Sequence, residues 1–298
     1  MEGLQLIGPS ELYNLLQQGS SYSCLSDTNF LLLIDARNKE EYNASHILTA
    51  KKAPKNENGL FMIPYDAELE CKVHVVVYDS NASSHTEESP ATECAQLLWN
   101  SGSRNPVMIL KGGYEEFSAL YPFLRTQKII FTPRELDDIS PYPVEIVQGL
   151  LYLGNWHHGN APHVQKNLKI RGHINCCIEA ETFFPEPGPH LLHIQVEDDS
   201  SADLFSHFRS ACDFIDLHFE EDFAVLVFGN LAISRPAAVI IAILIYHFKW
   251  TLEQAHNHVY KCSQKIRPNR GFIEQLSRWE EEILGSKKTD IDDQNFYI

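Results

Sequence analysis

In the first half of the chain, apolar residues fall into short unbroken runs closed by polar ones. These are Phe30–Arg37 (Phe-Leu-Leu-Leu-Ile-Asp-Ala-Arg), Val73–Asp79 (Val-His-Val-Val-Val-Tyr-Asp) and Val107–Leu110, the last followed by Lys111-Gly112-Gly113. Such runs fit strands buried on both faces, as in a parallel sheet. Helices are predicted between them at Thr92–Asn100 and Glu115–Leu124. The second half repeats the alternation, with strands expected at Gly149–Leu153, Gly172–Ile178, Leu191–Val196 and Phe223–Phe228. Ala202–Phe219 carries Leu204, Phe205, Phe208, Ala211, Cys212, Ile215 and Phe219 on one helical face. Pro236–Phe248 is apolar all round and is expected to be the central buried helix of its domain. Thr251-Leu-Glu-Gln254 has the capping-box pattern of a further helix, which Pro268-Asn269 is expected to stop. Phe272, Ile273, Leu276, Trp279 and Ile283 mark the last one. The fold class is α/β, with two domains, each a central mostly parallel sheet flanked by helices. Thr132-Pro133 and Ser140-Pro141 place the linker at 131–140. This leaves domains at 1–130 and 141–285 and a polar tail at 286–298, expected to fray.

Composition narrows the partners. Of 298 residues, 24 are Lys or Arg and 40 are Asp or Glu, a net charge of −16. The acidity is spread over both halves, so nucleic acid and anionic membrane are disfavoured as main partners. The longest apolar run, Ala237–Ile245, is too short to insert across a bilayer. The first thirty residues contain no Lys or Arg, which argues against a secretory signal or an Arg-rich transit peptide. The expected location is cytoplasmic, with the nucleus or an organelle reached through a partner left open. Seven cysteines form no CxxC pair and no zinc spacing, and they read as reduced core thiols. His256 and His258, two apart, do not share a helix face, and His190 and His193 lack carboxylate or Cys company. Neither a metal site nor a cofactor is expected.

The chemistry concentrates in the strand–loop–helix at 223–248. A loop between a buried strand and a buried helix offers backbone N–H groups at a helix N-terminus, a place that favours an anion. Ser234 and Arg235 close that loop, and Arg can hold two phosphate oxygens at once. Here the sequence resembles the cysteine-dependent phosphatases, whose signature is His-Cys-five residues-Arg. Six positions before Arg235 stands Gly229, so the nucleophile position is glycine. The His position is Phe228, and the loop glycine is replaced by Ala232. Further landmarks are Leu151-Tyr152-Leu153-Gly154, Ile194–Asp198 ending in the general-acid position, and Pro268-Asn269-Arg270-Gly271-Phe272. Together they resemble the dual-specificity phosphatase family over about residues 141–285.

That reaction needs a thiolate to attack phosphorus, Arg to bind the equatorial oxygens and Asp to protonate the leaving oxygen. Glycine supplies no nucleophile, and no Cys has an Arg six residues on. The resemblance therefore implies no catalytic residue and a degenerate enzyme. Asp198 then reads as a solvated member of the acidic run Glu197-Asp198-Asp199. Two readings of the loop stay open. Asn230, Leu231, Ala232, Ile233, Ser234 and Arg235 still hold phosphate, or Ala232 has spoiled a position that needs positive φ and Phe228 has filled space the family leaves polar.

The first domain resembles a rhodanese domain of the type attached to MAP kinase phosphatases. Leu33-Ile34-Asp35-Ala36-Arg37 with Glu41-Tyr42 and His46-Ile47 matches its early signature, and Leu110–Phe117 with Tyr121-Pro122 its late one. Where active rhodaneses place Cys, this chain has Asp79, and a carboxylate carries no persulfide. Asp35 and Arg37 read as a structural pair. The resemblance implies a docking cluster at Lys51, Lys52 and Lys55, against which stands a plain solvated lysine face. The whole pattern implies a pseudophosphatase of the dual-specificity, MAP-kinase-phosphatase-like family. Its expected partners are signalling proteins, among them phosphorylated proteins, MAP kinases or other phosphatases.

Overall fold

The computed structural model describes residues 3–18, 24–65, 67–130, 135–136, 139, 141–179, 181–184 and 188–293. The chain divides into two compact units, Met1–Pro141 and Tyr142–Ile298. Most of the predicted linker at 131–140 lies outside the described residues.

In the first unit, five strands form one sheet in the order β1-β6-β5-β2-β4. They are β1 (Leu4–Ile7), β2 (Leu31–Asp35), β4 (Lys51–Lys52), β5 (His74–Tyr78) and β6 (Val107–Leu110), every pair parallel. β3 (His46–Ile47) pairs antiparallel with β7 (Arg125–Thr126). The helices are α1 (Pro9–Leu16), α2 (Lys39–Ala44), α3 (Pro90–Asn100) and α4 (Gly113–Leu120). The three predicted strands are present, and their alternate residues Leu32, Ile34, Val75, Val77, Val107 and Ile109 build one core with Ala91, Cys94, Ala95 and Leu98 of α3. The predicted helix 115–124 stops at Leu120, because Pro122 opens a separate 3-10 turn. β1 and α1 went unpredicted.

In the second unit the order is β11-β10-β12-β9-β8. These are β8 (Val144–Val147), β9 (Leu151–Asn155), β10 (Ile170–Asn175), β11 (Leu191–His193) and β12 (Ala224–Gly229). All pairs are parallel except β8 with β9. The helices are α5 (Trp156–Asn160), α6 (Pro162–Asn167), α7 (Phe205–Phe219), α8 (Arg235–Phe248), α9 (Leu252–Cys262) and α10 (Arg270–Leu284). Every residue of α8 from Arg235 to Ile245 is buried, as expected for a central helix. α9 does carry its capping box, with Thr251 accepting from the Gln254 amide. It ends at Cys262, however, ahead of the Pro268-Asn269 stop; Asn269 instead caps α10, accepting from the Phe272 amide.

The described part of the tail, expected to fray, is bonded to the second unit. Glu280, wholly buried, accepts from the amides of Lys288 and Thr289 and from the Thr289 hydroxyl, and Arg270 donates to Asp292 at 2.5 Å. Among the described residues no helix is long and apolar enough to cross a membrane.

Candidate functional site

β12 is the middle strand of the second sheet, so its C-terminal end opens between its two neighbours. Residues 224–228 are buried, and the chain leaves the sheet at Gly229. The next five residues form the loop, and α8 begins at Arg235. Ala232 adopts φ 60°, the left-handed region. The loop thus keeps a turn suited to glycine, and Ala bears about 1 kcal/mol of strain there. Among the described residues, no amide from Asn230 to Ser234 donates to a backbone carbonyl. These are the unpaired donors expected of a loop at a helix N-terminus.

At the nucleophile position there is no side chain. A Cβ on Gly229 would stand 3.2 Å from Pro236 Cδ and 3.9 Å from Cys176 Cβ. Cys176 is therefore the thiol beside the empty position, a proximity that sequence spacing cannot reveal because it arises across paired strands. It is fully buried, and burial pushes its pKa far up, outweighing the nearby Arg235. Cys177 is shifted the same way for the same reason. Phe228 is also fully buried. Its ring meets the His173 imidazole edge-on at 5.2 Å and leaves Gly159 no room for a Cβ, which would lie 2.7 Å from the ring. Burial drives the pKa of His173 down to about 3. Asn175 pairs with Phe228 in register, and its buried Nδ2 finds no acceptor among the described residues.

Asp198 is exposed, in keeping with a solvated residue, and it is also held by partners. Its Oδ1 accepts from the Ser234 hydroxyl at 2.7 Å and from Asn269 Nδ2 at 3.0 Å, and its Oδ2 lies 3.8 Å from Arg235 Nε. Arg235, buried, donates from Nη1 to the Val196 carbonyl at 2.8 Å. Asp198, the Ser234-Arg235 pair and the late Pro-Asn landmark thus meet at one point. Asn230 and Leu231 are the exposed members of the loop, Leu231 at 74%.

In the first domain, Asp79 occupies its own loop. Oδ1 accepts from the amides of Asn81 and Ala82, and Oδ2 from Ala91 at the start of α3. Gly113, with φ 55°, lets α4 approach; a Cβ there would lie 2.5 Å from the Asp79 carbonyl. Asp35 and Arg37 form the expected structural pair, buried, with Nη2 of Arg37 2.6 Å from Oδ2. The same guanidinium donates to the Ser45 carbonyl and covers the Tyr114 ring at 3.8 Å. The lysine cluster is not one uniform solvated face. Lys51 and Lys55 are exposed, whereas Lys52 Nζ turns inward to the Arg37 carbonyl. A hollow of about 560 Å³ lies among Arg37, Lys39, Tyr42, Lys52, Lys55 and Ile129. All seven cysteines are free thiols, but Cys71 is exposed rather than buried in the core. Among the described residues no group of three or more His, Cys, Asp or Glu could hold a metal ion.

A family model of the dual specificity phosphatase catalytic domain matches residues 151–282, and a rhodanese-like domain model matches residues 9–120. Human dual specificity protein phosphatase 4 is 27% identical over 293 residues, covering 86% of this chain and 74% of that protein. Human dual specificity protein phosphatase 16 is 30% identical over 281 residues, covering 87% of this chain but only 42% of that protein. The crystal structure of human tyrosine phosphatase-like serine/threonine/tyrosine-interacting protein matches 48% of this chain and 98% of its own, with 30% identity and a TM-score of 0.44. The chain joins a rhodanese-like domain to a dual-specificity phosphatase domain, an architecture like that of the MAP kinase phosphatases.

Proposed function

We propose that this chain is a non-catalytic phosphatase-like protein that acts by binding signalling proteins, namely other phosphatases, kinases or their phosphorylated substrates, and so tunes their activity. The observation that carries the reading is the bare backbone of Gly229 where the reaction needs a thiolate, with the adjacent Cys176 thiol buried and pushed toward its neutral form. Asp79 supports the same reading in the first domain, since its carboxylate is occupied by three amides. The free thiols accord with a reducing, cytoplasmic setting.

A second reading, a phosphate-independent scaffold, is favoured by Arg235, whose guanidinium is engaged by Val196 and Asp198. Turnover is the first test. The purified chain should release no phosphate from phosphotyrosine or phosphothreonine peptides above buffer, and release that vanishes with Arg235→Ala would make it an enzyme. Pull-down of signalling proteins by wild type and Arg235→Ala then separates the two binding modes. Capture lost in the variant marks phosphate-dependent binding, and capture retained marks the scaffold.

A further inference from the structure

Resting on the non-catalytic reading, the geometry points to Asp198 as the resident anion of the former active-site loop: we propose that this carboxylate, rather than the missing thiol, decides whether the loop takes up phosphate. The loop keeps the parts of an oxyanion site. Five successive amides, Asn230 to Ser234, donate to no backbone carbonyl among the described residues. Ala232 holds the left-handed turn, and the loop runs directly into the fourteen-residue helix α8. Arg267 anchors it from behind, donating its amide to the Ile233 carbonyl.

The charged and hydroxyl donors of the same loop are already turned to one carboxylate. Ser234 donates to Asp198 at 2.7 Å, and Arg235 Nε faces it at 3.8 Å. Asn269 holds the carboxylate from the opposite side through Nδ2 and also donates its own amide to the Ser234 hydroxyl at 3.3 Å. These bonds close a ring of three residues, Asp198, Ser234 and Asn269, with Arg235 facing the carboxylate from outside the ring. A phosphate monoester entering this loop would meet a negative charge already placed on its guanidinium. Like charges at such range disfavour each other even at the effective dielectric of a protein surface. The carboxylate is 40% exposed and its ion pair is long, so the contact is of the weak, displaceable kind. Asp198 is thus an internal competitor that a phosphorylated partner must displace.

The test is calorimetric titration of the full chain with orthophosphate and with a phosphotyrosine peptide, on wild type, Asp198→Ala, Asp198→Asn and Asp198→Ala/Arg235→Ala. Removing the competitor should tighten peptide binding about tenfold or more, the equivalent of about 1.4 kcal/mol. Asp198→Asn should gain as well, because it keeps the shape and loses the charge, and it serves if the Ala variant folds poorly. The gain should disappear in the double variant. A gain for orthophosphate equal to that for the peptide locates the effect in the phosphate group itself. Equal binding by wild type and both single variants, or no binding by any, would overturn the proposal. Phosphate release by wild type would defeat the non-catalytic reading without bearing on this ranking of affinities.

Discussion

Placing His at 228 and Cys at 229 together should turn the loop back toward hydrolysis, and the structure sets the size of each effect. A Cβ at 229 meets Pro236 Cδ at 3.2 Å and Cγ at 3.3 Å, so the ring must give by a few tenths of an ångström. That is tight but not blocked. Replacing Phe228 shrinks a fully buried ring and should cost about 2 kcal/mol of the second domain's stability. Part returns if the imidazole accepts from the orphan Nδ2 of Asn175, its registered neighbour. The new thiol would lie beside unpaired loop amides, surroundings that lower a thiol pKa. In an enzyme with a comparable nucleophile, its removal costs on the order of 10⁶ in rate. Because Asp198 and Arg235 must first part, only about 10³ over wild type is expected here, a fraction of that range. Adding Ala232→Gly should give about fivefold more, matching about 1 kcal/mol of relieved strain. Phosphate release from a phosphotyrosine peptide, normalised to protein shown folded by urea melting, measures all three steps. A folded double variant that stays inert, or an Ala232→Gly addition without effect, would refute this account of the loop.

Asp79→Ala removes the acceptor of three amides, two of them buried and one of those at the start of α3; the first domain should lose about 3 kcal/mol while the second melts as before, read by urea unfolding with a probe in each domain. His173 should make stability pH-dependent. Its native pKa of about 3 lies below the ordinary 6.5, so the unfolded chain binds the extra proton. The contribution is whole above pH 6.5 and is lost as pH falls toward 3, about 2 kcal/mol by pH 5; His173→Phe should flatten the difference in urea midpoints between pH 7 and pH 5. Native alkylation at pH 8 followed by mass spectrometry should label exposed Cys71 while sparing Cys94 and Cys212, whose burial pushes each thiol up to about 12.

The strands and the buried helix α8 were legible because local apolar runs report burial directly. The motif positions 228, 229, 232, 234 and 235 were legible because a loop between strand and helix preserves their order. What escaped was set by distant contacts. Asp198 stands in a run of three exposed acidic residues, and periodicity does not tell which of them bonds to the signature loop. Its partners lie 36 and 71 positions further on. Cys176 reaches Gly229 only because β10 and β12 pair in register. β8 was missed because Glu145 interrupts its apolar run; the fold buries that carboxylate against the Tyr152 hydroxyl and the Gly149 amide. The tail looked free because its restraint, Glu280, sits on the preceding helix, at a position that reads as one of three consecutive glutamates.

Each of the two loops is met by an aspartate, yet the two arrangements differ in kind. Asp79 is 5% exposed and commits both oxygens to three backbone amides of its own loop and helix. Displacing it would strand the Ala82 and Ala91 amides in the interior, at about 1–3 kcal/mol each. It therefore acts as part of the fold, and no external anion competes with it on equal terms. Asp198 is held by side chains alone, is 40% exposed and meets Arg235 at 3.8 Å. Water can replace each of its contacts, so its departure costs far less. Of the two sites, the second is the one where a charged partner can exchange places with a residue of the chain. A phosphopeptide should therefore perturb the amide signals of residues 230–235 without disturbing those of Asn81, Ala82 and Ala91. Matching shifts at both loops would refute this distinction.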